Sequence, residues 1–260
     1  MKKTFFVLVF IFSAVVSVKA QDTIQYANPL AEVRFNFFKH SVILFNEYLD
    51  TDSGSFNTTN LRVLYPIGKR SWLLRVDVPL ISTNTTSMNK SGLGDIAVAA
   101  SYIPYVKNKT GIAIRAKITS NSANDPNFGS GKWVFTPTLT MGNYLGNHKK
   151  YLWLTVLENQ MSFAGDSNRN KVNTSVFENT LLYFLGKNWF AVNTAFRYNH
   201  TIDGFQNTAF IEFGRKFTDN DMFYIHPSVG YGGAKAYNYG AELGILILFE
   251  AFPCYHSLPG

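Results

Sequence analysis

The stretch Gly111-Ile-Ala-Ile-Arg-Ala-Lys-Ile-Thr119 alternates strictly. Ile112, Ile114, Ala116 and Ile118 share one face of an extended chain; Ala113, Arg115, Lys117 and Thr119 share the other. The same period of two runs through Trp72, Leu74, Val76, Val78 and Leu80 against Leu73, Arg75, Asp77 and Pro79. It recurs in Tyr239, Ala241, Leu243, Ile245, Ile247 and Phe249 against Gly240, Glu242 and Gly244. No long segment has a 3.6-residue period, so the chain reads as all-β.

Working outward, strands are predicted at 41–50, 56–65, 72–80, 95–105, 111–119, 133–142, 151–162, 173–184, 189–198, 206–217, 222–232 and 239–249. Residues 28–38 are an extension of the first strand or a piece tucked into the structure. Strands of roughly 9–11 residues suit a tilted membrane crossing, whereas soluble strands centre on about five or six. The connections alternate in kind. Segments 66–71, 106–110, 145–150, 185–188 and 218–221 are short, and 51–55, 81–94, 120–132, 163–172, 199–205 and 233–238 are mostly longer and polar. Outer-membrane barrels sort their periplasmic turns and outer loops in this way. An open edge in hydrocarbon would strand backbone donors and acceptors, so the sheet must close. The fold expected is a transmembrane antiparallel up-and-down β-barrel of twelve strands.

Residues 1–20 read as an address. Lys2 and Lys3 precede the apolar-dominated run 5–18, and Val18-Lys19-Ala20 resembles a cleavage site. About 20 apolar residues would be needed for a membrane helix. The chain thus divides into a signal peptide at 1–20, a barrel domain at 21–249 and a tail at 250–260. Of the 260 residues only 16% are charged, and one cysteine excludes an intramolecular disulfide framework. The formal charge of +7 falls to +4 without Lys2, Lys3 and Lys19. Unclustered charge of that size is no nucleic-acid footprint.

A lysine or arginine facing lipid at mid-membrane costs about 2–4 kcal/mol, so the charged faces should line the lumen. That places Arg62, Arg75, Asp77, Arg115, Lys117, Glu158, Glu178, Arg197, Glu212, His226 and Glu242 inside. They form either a constriction that selects solutes or a filled, charge-paired interior; twelve strands fall between filled eight-stranded barrels and open pores of 16–18. Aromatics near strand ends, among them Tyr65, Trp72, Tyr105, Trp133, Tyr151, Trp153, Tyr183, Trp189, Tyr198, Tyr231 and Tyr239, suit interfacial girdles.

Several stretches carry a resemblance: Ala27-Asn28-Pro29-Leu30, Gly92-Leu93-Gly94-Asp95, Gly129-Ser130-Gly131-Lys132-Trp133, and 162–169 with Asp166, Asn168 and Arg169. In order and spacing these are similar to the outer-membrane transporter-like family named after the MetA pathway of phenol degradation, over about residues 26–249. The resemblance implies a channel for small, often aromatic or hydrophobic compounds. It makes Asp95, Gly131, Asp166, Asn168 and Arg169 the outer-loop motif. Members of that family tend to end at the last strand's final aromatic, here Phe249; this chain continues with Pro253 and Cys254.

Other patterns weigh less. Residues 129–132 miss two positions of a phosphate loop. Asp166, Asn168 and Asn170 imitate half a calcium loop, but Lys171 stands where glycine is required. Of His40, His148, His200, His226 and His256, only His226 shares a strand face with a serine, Ser228, and no third catalytic partner is evident. No catalytic residue, metal or cofactor is expected. The expected partners are outer-membrane lipid, the barrel-assembly machinery and a small-molecule solute, in the outer membrane of a Gram-negative cell. The alternative is a closed structural or adhesion barrel whose outer loops bind an extracellular partner.

Overall fold

The computed structural model describes residues 29–32, 39–67, 71–107, 109–146 and 149–249. The signal-peptide reading, His148, His256 and the tail 250–260 lie outside the described residues. Fourteen strands are present among them: β1 (His40–Thr51), β2 (Gly54–Ile67), β3 (Trp72–Thr85), β4 (Asn89–Leu93), β5 (Ala97–Lys107), β6 (Thr110–Thr119) and β7 (Lys132–Leu145), followed by β8 (Tyr151–Gly165), β9 (Asn173–Leu185), β10 (Asn188–Asn199), β11 (Gly204–Phe205), β12 (Asn207–Lys216), β13 (Asp221–Tyr231) and β14 (Tyr239–Phe249). The short β4 and β11 only fold back on β3 and β10. The other twelve pair antiparallel in chain order, and β14 returns to β1 from His40–Phe249 to Asp50–Tyr239. The protein is a closed twelve-stranded antiparallel β-barrel.

Closure gives each of the twelve long strands a partner on both sides, and the pleat then sorts the side chains. Leu44, Leu74, Val98, Leu157, Val192 and Leu243 point outward and are exposed. Tyr65, Trp72, Tyr105 and Tyr151 ring the end with short turns, and Tyr48, Trp133, Phe163, Phe205 and Tyr239 ring the loop end. Trp189 departs from the expected girdle. It points inward and is buried, because Gly214 lies opposite it in register and leaves it room. A Cβ on Gly214 would lie 1.9 Å from Trp189 Cζ2.

Two connections differ from the sequence reading. Segment 51–55 is a tight turn at Asp52 and Ser53, closed by Gly54 at φ +133°. A Cβ there would sit 2.4 Å from the Asn84 carbonyl oxygen. Segment 81–94 is mostly a hairpin in which β3 runs on to Thr85 and β4 returns along it, Leu80 opposite Leu93. Polar composition suggested an irregular loop at 81–94. Its backbone is instead paired with its own return strand.

The interior is not polar throughout. Towards the turn end, inward Ile43, Leu64, Leu73, Leu152, Leu154, Leu182, Met222, Leu246 and Leu248 form a buried apolar floor. Residues Pro29–Ala31 form a 3-10 turn seated on it, with Leu30 fully buried. A Cβ on Gly111 would lie 2.9 Å from Leu30 Cγ, and one on Gly142 would lie 3.1 Å from Pro29 Cβ. The glycines on β6 and β7 thus form the seat. Tyr144 donates from its hydroxyl to the Glu32 carboxylate beside it. For residues 29–32, the alternative of a tucked-in piece is the one observed.

Candidate functional site

Above the apolar floor the inner wall carries the charges anticipated from alternation. On β2 and β3, Asp77 accepts from Arg62 Nε at 2.5 Å and from Arg75 Nε at 2.6 Å. On β6, Arg115 Nη2 donates to Glu158 Oε2 and to Thr138 Oγ1, both at 3.1 Å. Gln160 holds the other Glu158 oxygen at 2.8 Å. Lys117 and Arg197 project from the same inner faces. The side chains of Arg62, Arg75 and Arg115 remain 25%, 18% and 24% exposed. Solvent therefore reaches them inside a closed wall, which spares these pairs the full desolvation cost of a buried salt bridge.

A second sector is acidic. Glu212 accepts from Trp189 Nε1 at 2.8 Å and lies 3.3 Å from His226 Nδ1. Glu242 accepts from the Tyr224 hydroxyl at 2.6 Å, and its other oxygen is 3.9 Å from His226 Nε2. The imidazole stacks on Phe210 with ring centres 4.3 Å apart. Its nitrogens therefore address two carboxylates. That geometry is a polar brace rather than the serine–histidine pair the spacing raised. A cavity of about 220 Å³ separates the sectors, with Arg62 and Phe45 on one side and Glu212, Glu242, Trp189 and Tyr224 on the other. Glu178 is held by Asn193 Nδ2 at 2.7 Å.

Glu47 belongs to this wall and is missed by the sequence reading. It shares the inner face with Ile43 and Phe45 and lies opposite Glu242 in register. The alternation that placed Glu242 would have located it. Like charges directly opposite destabilise a strand pair, so a second carboxylate at this level argues for a role other than packing.

At the loop end the motif residues converge. Asp95 Oδ1 accepts from the Ser122 and Ala123 amides at 3.1 and 3.0 Å, and Oδ2 accepts from the Ser130 amide at 2.8 Å. Arg169 Nη2 donates to the carbonyls of Pro126 and Gly129 at 2.7 and 2.9 Å. Gly131, at φ +69°, leaves space for the Arg169 side chain, since a Cβ would be 2.7 Å from Arg169 Cγ. Asp166 donates its amide to the Gly131 carbonyl at 2.9 Å, and its carboxylate caps the Asn168 amide at 2.8 Å. The Asp166–Asn168 repeat is thus a hydrogen-bonded turn, the bland alternative to a calcium loop.

These contacts pin the loop at 120–131 between the segment before β5 and the loop after β8. Phe128 is buried against Gly92 and Gly94, and Gly94 in turn contacts the inner-face residues Pro79 and Ile81. Within the loop, the amide and side chain of Asn127 and then the Lys90 ammonium hold the Asp125 carboxyl below the usual carboxylate range. Lys90 Nζ sits 3.3 Å from it.

No family model matches the sequence, and no curated protein matches it. Among solved structures, an outer-membrane channel from Pseudomonas putida F1 is similar over 81% of this chain and 96% of its own, at 14% identity and a TM-score of 0.69. The NanC porin is similar over 80% of this chain and 99% of its own, at 12% identity and a TM-score of 0.57. The KdgM porin covers the same shares at 13% identity and a TM-score of 0.55. Identities this low establish the barrel fold that these channels and porins share with this chain.

Proposed function

We propose that the protein is an outer-membrane channel that passively conducts a small solute and catalyses no reaction. The observation that carries this reading is the partly accessible ladder of Arg62, Arg75 and Arg115 within a closed wall. A barrel serving only as a scaffold gains nothing from solvated charges in its interior. Arg62, Arg75, Arg115 and Lys117 on β2, β3 and β6 outnumber the Asp77 and Glu158 paired with them, while Glu47, Glu212 and Glu242 lie on β1, β12 and β14, which sets a field across the lumen. The channel and porin names of the structural neighbours support the same reading. The resemblance to the MetA-pathway family favours an aromatic or hydrophobic solute. On this reading residues 1–20 direct export, the assembly machinery inserts the barrel into outer-membrane lipid, the short turns face the periplasm and the long loops face outward.

The test is conductance of the purified, refolded protein in planar bilayers over a range of salts and voltages. Discrete steps are expected, and their complete absence would remove the channel reading. The second reading, a closed barrel whose outer loops bind an extracellular partner, draws on Leu30 in the floor and Phe128 at the mouth. It requires that deleting residues 29–32 and releasing the loop at 120–131 leave the bilayer silent.

A further inference from the structure

On β9, Asn179 stands between Glu178, which Asn193 holds from inside the barrel, and the buried Thr180. The pleat therefore turns Asn179 outward, towards lipid. Register fixes its depth. Cross-strand neighbours run from Tyr105 on β5 through Met141, Thr155, Asn179, Thr194 and Ala209 to Tyr239 on β14. Tyr105 belongs to the aromatic ring at the turn end and Tyr239 to the ring at the loop end. Asn179 is four strands from each, at the middle of the apolar belt.

Its amide has a fixed orientation. Trp153 Nε1 and Thr155 Oγ1 donate to Asn179 Oδ1 at 3.1 and 3.2 Å. An indole nitrogen can only donate, so the oxygen must face Trp153 and the amino group points the other way. Among the described residues nothing accepts a hydrogen bond from Asn179 Nδ2. Thr194, next in the row, is engaged with the Tyr231 hydroxyl at 2.8 Å. Hydrocarbon has no acceptor to offer, and the oxygens of a lipid headgroup lie about half a membrane core away. The surroundings are apolar. Leu157, Phe177 and Phe196 are exposed on the loop side of the row, and Trp153, Leu181 and Val192 on its turn side.

We propose that this face, β8 to β10 about Asn179, is where two copies of the protein meet within the membrane, related by a two-fold axis along the membrane normal. A contact of that symmetry needs one surface carrying both halves of each bond. This surface has them in adjacent positions. Asn179 Nδ2 is the donor, and Thr155 Oγ1, beside it across the β8–β9 ladder, keeps lone pairs to accept. Each Asn179 donates to the Thr155 hydroxyl of the second copy. Barrel strands are tilted, so the facing rows slope in opposite directions and cross at Asn179. The exposed side chains on either side of the row then close round the polar centre and exclude lipid. A different membrane protein would have to supply an acceptor at that depth, whereas a second copy brings it by symmetry. The contact does not depend on the channel reading.

The test uses the full-length protein in liposomes, with Cys254→Ser so that an introduced thiol is the only one. Leu181→Cys leaves Asn179 intact and should cross-link to a dimer with copper phenanthroline. Leu61→Cys, exposed on β2 six strands away in either direction, should not. Energy transfer between copies labelled at the Leu61→Cys thiol then follows dissociation as lipid dilutes the protein. Asn179→Leu should move the dilution midpoint about tenfold towards higher protein-to-lipid ratio, the effect of lost hydrogen bonds between segments in a membrane, and Thr155→Val should move it the same way. Both substitutions suit a lipid-facing position, and β-sheet circular dichroism confirms that the barrels are intact. A Leu181→Cys cross-link no stronger than that of Leu61→Cys would overturn the proposal, as would a midpoint unchanged in Asn179→Leu. In cell membranes, a Leu181→Cys adduct of another mass with no dimer would also overturn it and give the face to a different protein.

Discussion

Arg169 Nη2 bridges the carbonyl oxygens of Pro126 and Gly129, at 2.7 and 2.9 Å, and so ties the loop after β8 to the loop before β7. The guanidinium satisfies two loop carbonyls at once. Hydrogen bonds to a charged group are worth about 1.5–3 kcal/mol each. Arg169→Ala should therefore raise opening of residues 120–131 at least tenfold, seen as faster amide exchange at Asn127 and Phe128 and as larger, noisier conductance steps. Unchanged exchange would mean that the Asp95 contacts hold the loop unaided.

Asp77 lies between two guanidinium groups, and its removal should be electrical before it is structural. Asp77→Asn preserves shape and deletes one negative charge beside Arg62 and Arg75. Selectivity should move towards anions, read as a shift of reversal potential in a potassium chloride gradient. A reversal potential equal to the parent's would place this cluster outside the conduction path.

Trp189 and Gly214 form a lock between β10 and β12. With 1.9 Å between the ring and any added Cβ, Gly214→Ala forces repacking in a filled layer. Overpacking of this kind costs about 1–3 kcal/mol. The midpoint of urea unfolding in vesicles should fall, and adding Trp189→Leu should restore part of the loss. A single variant as stable as the parent would contradict the buried placement of the indole.

Leu30 should behave as a core residue although it lies outside every strand. Leu30→Asp buries an unpaired charge in the apolar floor and should expel residues 29–32, whereas Leu30→Asn should do so less completely. Larger single-channel steps in Leu30→Asp would identify the segment as a plug. Steps of parental size would show that the floor residues alone set the constriction.

Arg115 and Lys117 were legible as inward residues because Ile114, Ala116 and Ile118 alternate with them, and the cost of a lipid-facing charge decides between the two faces. Trp189 reads as a girdle residue from its place at a strand end, although its parity with the inward Arg197 already turns it into the lumen; the room it needs comes from Gly214 on β12. Asp95 and Arg169 could be named from their motifs, but their shared hold on the loop at 120–131 appears only when β5, β7 and β8 are brought side by side. The hairpin at 81–94 was obscured by polar residues that suit an exposed strand as well as a loop.

Alternation along single strands, the parity of the connections and scarcity of charge determined the closed barrel and the membership of its charged inner face. Those signals are local, because a pleat with a period of two needs only neighbouring residues to reveal it. Tertiary structure alone decided what fills the interior: the apolar floor with Leu30 seated in it and the Trp189 indole lodged over Gly214. It also decided the polar row on the lipid face, where Thr155, Asn179 and Thr194 on three strands fall into line. These features depend on register between strands distant in sequence, and register is set when the sheet closes.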